Sequence, residues 1–180
     1  MKMTVKRRLT SLWVTVALCL GGLLATWVFV PYIHGMSHQI ETQVLIHAPA
    51  ERVWSVLLDF PGHAQWNPFI RHIGGRAEVG GKLNIQIQPV GGREMAFSPT
   101  VLVAQPLEEF RWKGQFIMPG LFDGEHYFLL RPDGAGGVLW VHGEKFSGLL
   151  VPFFRSSLET GTRAGFQAMN EALRQISERR

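Results

Sequence analysis

FFRSSLETGTRAGFQAMNEALRQIS, residues 153–177, is the stretch on which the fold turns. Phe154, Leu158, Thr162, Gly165, Phe166, Met169, Leu173 and Ile176 recur at spacings of three and four, with Arg155, Glu159, Arg163, Glu171, Arg174 and Glu178 mostly off that stripe. This period predicts one long amphipathic helix over 153–177, whose apolar face must be covered by another layer. Gly161 and Gly165 each cost the helix about 1 kcal/mol relative to alanine. That cost makes sense where the helix bends or where another group approaches its backbone closely.

The covering layer lies upstream. Lys82–Gln88, Met95–Val103, Phe110–Phe116, Phe122–Leu130 and Val138–Phe146 are rich in β-formers and mostly alternate, with glycine pairs at 74–75, 80–81, 91–92 and 136–137 as punctuation. They predict an antiparallel meander whose last hairpin closes through Arg131–Gly137, where glycines supply positive φ. Before them, Ile40, Val44 and Ile46 alternate with polar neighbours in a predicted strand over 37–48. Pro49 then opens a short amphipathic helix carrying Val53, Trp54, Val56, Leu57 and Leu58, and Asp59-Phe60-Pro61-Gly62 ends it. The compact stretch His63-Ala-Gln-Trp-Asn-Pro-Phe69 follows.

This order of elements resembles the START-like SRPBCC superfamily, in its polyketide cyclase/dehydrase and lipid-transport branch. The resemblance is carried by Ile46-His-Ala-Pro-Ala-Glu-Arg-Val-Trp54, Trp66-Asn-Pro-Phe69, His142-Gly-Glu-Lys-Phe-Ser-Gly148 and Phe166-Gln-Ala-Met-Asn-Glu-Ala-Leu173. It spans about residues 38–177. It implies an α+β helix-grip fold, an antiparallel β-sheet wrapped around the long C-terminal α-helix, with an apolar cavity between them. Members include lipid carriers, cyclases, hormone receptors and small-molecule sensors, so the resemblance narrows function less than fold. An N-terminal membrane anchor is not part of the usual pattern.

Such an anchor is what the N-terminus predicts. Leu9–Val30 contains no charged residue, and as a helix it would span roughly 33 Å, the thickness of a bilayer core. Trp13, Trp27 and Tyr32 lie near its ends, and Pro31 stops it. Lys6, Arg7 and Arg8 predict a cytoplasmic N-terminus and a domain on the periplasmic or extracellular side. A cleaved signal peptide has a shorter apolar region, although Gly35-Met36-Ser37 is a faint cleavage match, and Leu18 before Cys19 argues against a lipoprotein signal. The chain therefore divides into a basic tail and transmembrane anchor, 1–35, and a helix-grip domain, 36–180.

The formal charge of +4 belongs to the tail, which holds Lys2, Lys6, Arg7 and Arg8; the other 14 basic side chains balance 14 acidic ones. With no clustered Lys and Arg in the domain, nucleic acid is not an expected partner. Cys19, the sole cysteine, lies in the apolar segment, so the domain has neither a disulfide nor a thiol nucleophile. Of the seven histidines only His34 and His38 are spaced as His-x-x-x-His, no cysteine of the domain joins them, and no metal or other cofactor is expected. No glycine pair precedes a helix as a phosphate loop would require.

In the last two strands, Phe122, His126, Phe128 and Leu130 share one face, and Trp140, His142, Glu144 and Phe146 share another. If both faces point inward, His126, His142 and Glu144 become acid/base candidates in an apolar pocket, suited to proton transfer at an enolisable ketone. The bland reading is that these groups are buried and satisfy one another or the backbone, or that the strand twist turns them to solvent. Candidate ligand contacts are Trp66, Phe69, Phe116, Phe122, Phe128, Trp140, Phe146, Phe166 and Met169, with Trp66 foremost because it lies in a short connecting segment. Three functions remain open: binding of a hydrophobic small molecule (lipid, quinone or polyketide-like) near the bilayer, a cyclase/dehydratase-type enzyme, and a structural or protein-interaction domain. A close polar pair with room beside it favours the enzyme, an all-apolar cavity facing the membrane favours the carrier, and a cavity filled by its own aromatics favours the third.

Overall fold

The computed structural model describes residues 36–179. The expected basic tail and transmembrane anchor lie outside the described residues. Among the described residues no helix is long and apolar enough to cross a membrane.

Strand β1 (Ser37–Ile46) ends at Ala48-Pro49, and helix α1 (Ala50–Leu58) starts where the proline ring presets φ at −58°. A 3₁₀ turn (Phe60–Gly62) and the one-turn α2 (His63–Trp66) lead into β2 (Ile70–Gly75), β3 (Leu83–Ile87) and β4 (Met95–Phe97). Then come β5 (Thr100–Gln105), β6 (Glu109–Gln115), β7 (Asp123–Pro132) and β8 (Val138–Ser147). The C-terminus is continuously helical: α3 (Val151–Ser157), a π turn (Leu158–Thr162) and α4 (Arg163–Glu178).

The strands form a five-stranded antiparallel sheet ordered β1-β8-β7-β6-β5 and a three-stranded sheet ordered β2-β3-β4. The architecture is the expected α+β helix grip. Three details differ from the sequence reading. Met95–Val103 is not one strand: it divides at Ser98-Pro99, and its halves join different sheets. A proline lacks the N–H that an interior ladder needs, so the chain turns there. Ile70–Gly75 is a strand the reading did not expect, its alternation blurred by Arg71-His72, where the register against β3 shifts. The helical stripe is also rotated after the π turn. Phe154 is 46% exposed, while Asn170 and Ser177 join Phe166, Met169 and Leu173 inside. A π turn inserts one residue into the helical repeat and so moves the downstream face by about a residue.

The hairpin of β7 and β8 closes on Asp133, whose carboxylate accepts from the N–H groups of Ala135 (2.7 Å) and Gly137 (2.8 Å), with Gly134 and Gly136 at positive φ. The core joins Phe110, Phe128 and Trp140 of the large sheet to Phe166, Met169 and Leu173 of α4. Gly165 has a packing reason: the Phe69 ring lies on it so closely that a Cβ would sit 2.3 Å from a ring carbon. Phe69 is set there by Asn67, whose side-chain oxygen accepts from the N–H groups of Phe69 (3.0 Å) and Ile70 (2.8 Å).

Candidate functional site

Alternation along β7 and β8 puts Gly124, His126, Phe128 and Leu130 on the same face as Trp140, His142, Glu144 and Phe146. Their register sets His126 opposite Glu144 and Phe128 opposite His142. Trp112 of β6 faces His126 across the next ladder, and their rings stack at 4.7 Å and 7°. This face and the small sheet enclose a cavity of about 350 Å³, with Leu158 and Thr162 of the π turn on its helical side. Ile70, Ile85, Ile87, Trp112, Phe122 and Phe146 make most of its wall apolar, and His126 and Glu144 stand in that wall.

A polar chain runs from the wall into the core. The Glu144 Oε2 atom is 3.3 Å from His126 Nδ1, His126 Nε2 is 2.9 Å from His142 Nε2, and His142 Nδ1 is 2.9 Å from Asn170 Oδ1. Trp140 Nε1 donates to the same Asn170 oxygen at 2.9 Å, and Asn170 Nδ2 donates to Thr42 Oγ1 at 2.8 Å. The direction of every proton follows. An indole N–H can only donate, so the Asn170 atom it meets is the oxygen. That oxygen requires His142 to carry its proton on Nδ1, leaving a lone pair on Nε2, since burial holds His142 well below its ordinary pKa and keeps it neutral. His126 must then donate from Nε2 and present a lone pair at Nδ1, because burial lowers its pKa to about 3. A carboxylate facing that lone pair would repel it. Burial raises the Glu144 pKa to about 8, so at neutral pH the acid keeps its proton and donates it to His126 Nδ1. Gly124 leaves room for this carboxyl, since a Cβ there would lie 2.3 Å from Glu144 Oε1.

The site therefore holds one transferable proton shared between Glu144 and His126, with its direction set by Trp140 and Asn170 deeper in the core. Among the described residues no group of three or more His, Cys, Asp or Glu is placed to hold a metal ion.

Of the residues singled out in the sequence, Phe69, Phe116, Phe122, His126, Glu144 and Phe146 line the cavity. Phe128, Trp140, Phe166 and Met169 are sealed in the core beyond it, where Phe166 stacks on His142 at 3.8 Å. Trp66 does not line the cavity: α2 turns it onto His63, with ring centroids 4.9 Å apart. His142 is buried behind His126. Sequence reasoning missed Trp112 and Asn170. Trp112 was detectable as an inward position of Phe110–Phe116, and Asn170 as a polar residue one position beyond Met169 on the helical stripe.

A family model described as "Polyketide cyclase / dehydrase and lipid transport" matches residues 37–178. Comparison with curated proteins gives no match. Among solved structures, the di-domain ARO/CYC BexL from the BE-7585A biosynthetic pathway aligns with TM-score 0.68 and 14% identity, over 93% of this chain and 60% of that one. The chain thus spans about 60% of that di-domain protein, less than two thirds of its length. The Zhui aromatase/cyclase from Streptomyces sp. R1128 aligns with TM-score 0.65 and 21% identity, over 80% of this chain and 95% of that one. A Chromobacterium violaceum protein aligns with TM-score 0.59 and 24% identity, over 79% and 98%. At these identities the likeness is one of fold.

Proposed function

Because the chain belongs to the polyketide cyclase / dehydrase and lipid transport family, we propose that it binds one hydrophobic small molecule in the cavity, held near a bilayer by residues 1–35. The observation that carries this reading is an open, largely apolar cavity of about 350 Å³ with the hydrogen-bonded pair Glu144 and His126 in its wall. Volumes of roughly 300–1,000 Å³ suit drug-sized ligands. The wall favours an apolar body, and Glu144 favours an oxygen function that meets the carboxyl group. Lipids, quinones and polyketide-like compounds share that description. The open cavity speaks against a purely structural domain whose own aromatics fill the space.

The same pair, close together and with cavity space beside it, meets the condition set above for an enzyme of the cyclase/dehydratase kind and carries that second reading. Glu144 would pass its proton to a ligand carbonyl oxygen, and His126 Nδ1, freed of that hydrogen bond, would take the proton from the α-carbon. The products are an enol, a carboxylate and an imidazolium, with the overall charge unchanged.

Native mass spectrometry of the full chain purified from its own cells, with organic extraction, tests the first reading. A stoichiometric hydrophobic molecule is expected. An empty protein that also fails to take up hydrophobic probes would sink it. Glu144→Gln separates the two readings, since the amide can still donate to His126 Nδ1 but has no proton to transfer. A carrier keeps its ligand, whereas an enzyme keeps its ligand and loses turnover by about 10²–10⁴-fold.

A further inference from the structure

Two seven-residue stretches carry no charged side chain: residues 116–122, Phe-Ile-Met-Pro-Gly-Leu-Phe, between β6 and β7, and 148–154, Gly-Leu-Leu-Val-Pro-Phe-Phe, from β8 into α3. Surface connections of this composition are uncommon, since loops ordinarily meet water. The two are built as one platform. Leu149 N donates to Gly120 O at 3.2 Å, Leu150 N donates to Leu121 O at 3.0 Å, and the rings of Phe122 and Phe154 meet at 5.7 Å. Ile117 is 78% exposed and Phe153 82%, and Phe116, Met118, Leu149 and Phe154 are exposed with them. Ile117 also holds φ at +68°, a region that β-branched residues rarely adopt. An outward isoleucine kept in strained backbone is a feature that burial does not explain.

The platform borders the cavity, because Phe116, Phe122 and Phe154 belong to both, and exposed Met95 also lines the cavity. It also lies where the described chain begins. Ser37, the first residue of β1, pairs with Ser147 of β8, which pairs with Asp123 of β7, so the start of β1 is at the end of the sheet that carries both stretches. Arg155, the first charged residue after the second stretch, donates to Ser37 O at 3.4 Å. Only residues 31–36 separate Ser37 from the uncharged segment Leu9–Val30.

We infer that this platform seats on a lipid bilayer, so that the cavity opens toward the membrane and its hydrophobic ligand exchanges with lipid without crossing water. The inference rests on the membrane-tethered reading of residues 1–35. A contiguous apolar patch of this kind marks a docking surface, and the absence of charge in both stretches suits the acyl boundary of a bilayer better than a protein partner with a polar rim.

The test uses the full chain in a Cys19→Ser background, carrying a fluorescent label at Ile117→Cys, Phe153→Cys or, at the opposite end of the sheet, Ala135→Cys. The chain is reconstituted in phosphatidylcholine/phosphatidylglycerol vesicles containing nitroxide-labelled lipid. Labels at 117 and 153 are expected to be quenched at least about threefold more than the label at 135. Equal quenching at all three positions, with the chain still floating with the vesicles after a high-salt wash, overturns the docking surface and leaves the tether standing. A chain that does not float overturns both. Labels at 117 and 153 that are shielded from aqueous iodide yet unquenched by lipid show a second copy or another protein on the platform, which also overturns the inference.

Discussion

Glu144 is the residue whose protonation the surroundings control most directly. Its folded pKa of about 8 lies above the ordinary 4.5. Below pH 4.5 the acid is protonated in both folded and unfolded chains and shifts the balance toward neither. Between 4.5 and about 8 only the unfolded chain ionises, so stability falls as pH rises, and above 8 the loss is complete. Glu144→Gln removes this dependence. The variant is expected to match the parent near pH 5 and to exceed it at pH 9 by on the order of 3 kcal/mol, as read by urea unfolding at both values. Equal stability of the two at pH 9 would show that the carboxyl ionises freely in the fold. His126, lowered to about 3, and His142, also lowered, act in the opposite window: stability drops as pH falls below 6.5, because the unfolded imidazoles take protons that the folded ones refuse. Such a network stays neutral only while Asn170 and Trp140 hold its direction. A sequence shows these residue types but not which of their atoms donate.

At the scale of elements, the long helix is the part most legible beforehand and also the part with the most instructive departure. Its period located the buried Phe166, Met169 and Leu173, because side chains three and four apart must share a face whatever they pack against. The π turn at Leu158–Thr162 was not legible: it lies where the helix lines the cavity with Leu158 and Thr162 and brings Gly161 against Pro89 and Val90, contacts distant in sequence. Gly165 offers a direct check. Alanine would raise helix propensity by about 1 kcal/mol, but its methyl group would collide with the Phe69 ring. Gly165→Ala is therefore expected to destabilise by about 1–3 kcal/mol in chemical denaturation, the range for an overpacked core. A stabilised variant would mean that Phe69 is free to move. Met169→Ala, at a fully buried site, is expected to cost about 2–5 kcal/mol, and a near-neutral result would place Met169 on an open wall.

For the whole molecule, β1 is one edge of the large sheet and pairs with β8 along its whole length, with Ser37 opposite Ser147 and Ile46 opposite Val138. Both ends of β1 are needed. His47 N donates to Glu178 of α4 at 2.9 Å, tying the far end of the helix to the strand. A chain lacking residues 1–35 retains this strand entire and is expected to remain soluble and to unfold in one cooperative transition by circular dichroism. Aggregation of that truncated chain, with the full chain well behaved in detergent, would show that the fold extends into the removed segment.

By itself the sequence determined the α+β class, most of the strands and helices in their order, the buried stripe of the C-terminal helix and the pairing of polar residues with an apolar strand face. These follow from periodicity and from proline and glycine chemistry, which act over a few residues. The tertiary structure alone decided that His126 meets Glu144 and His142, that Trp112 covers one of them and Asn170 ends their chain, and that Trp66 turns away from the cavity. It also decided that two uncharged loops far apart in sequence share one surface. Each of these depends on register between strands and on the rotation of a helix. A shift of one residue would move every side chain of a strand to the other face and turn a helical face by about 100°, and local sequence does not encode that choice.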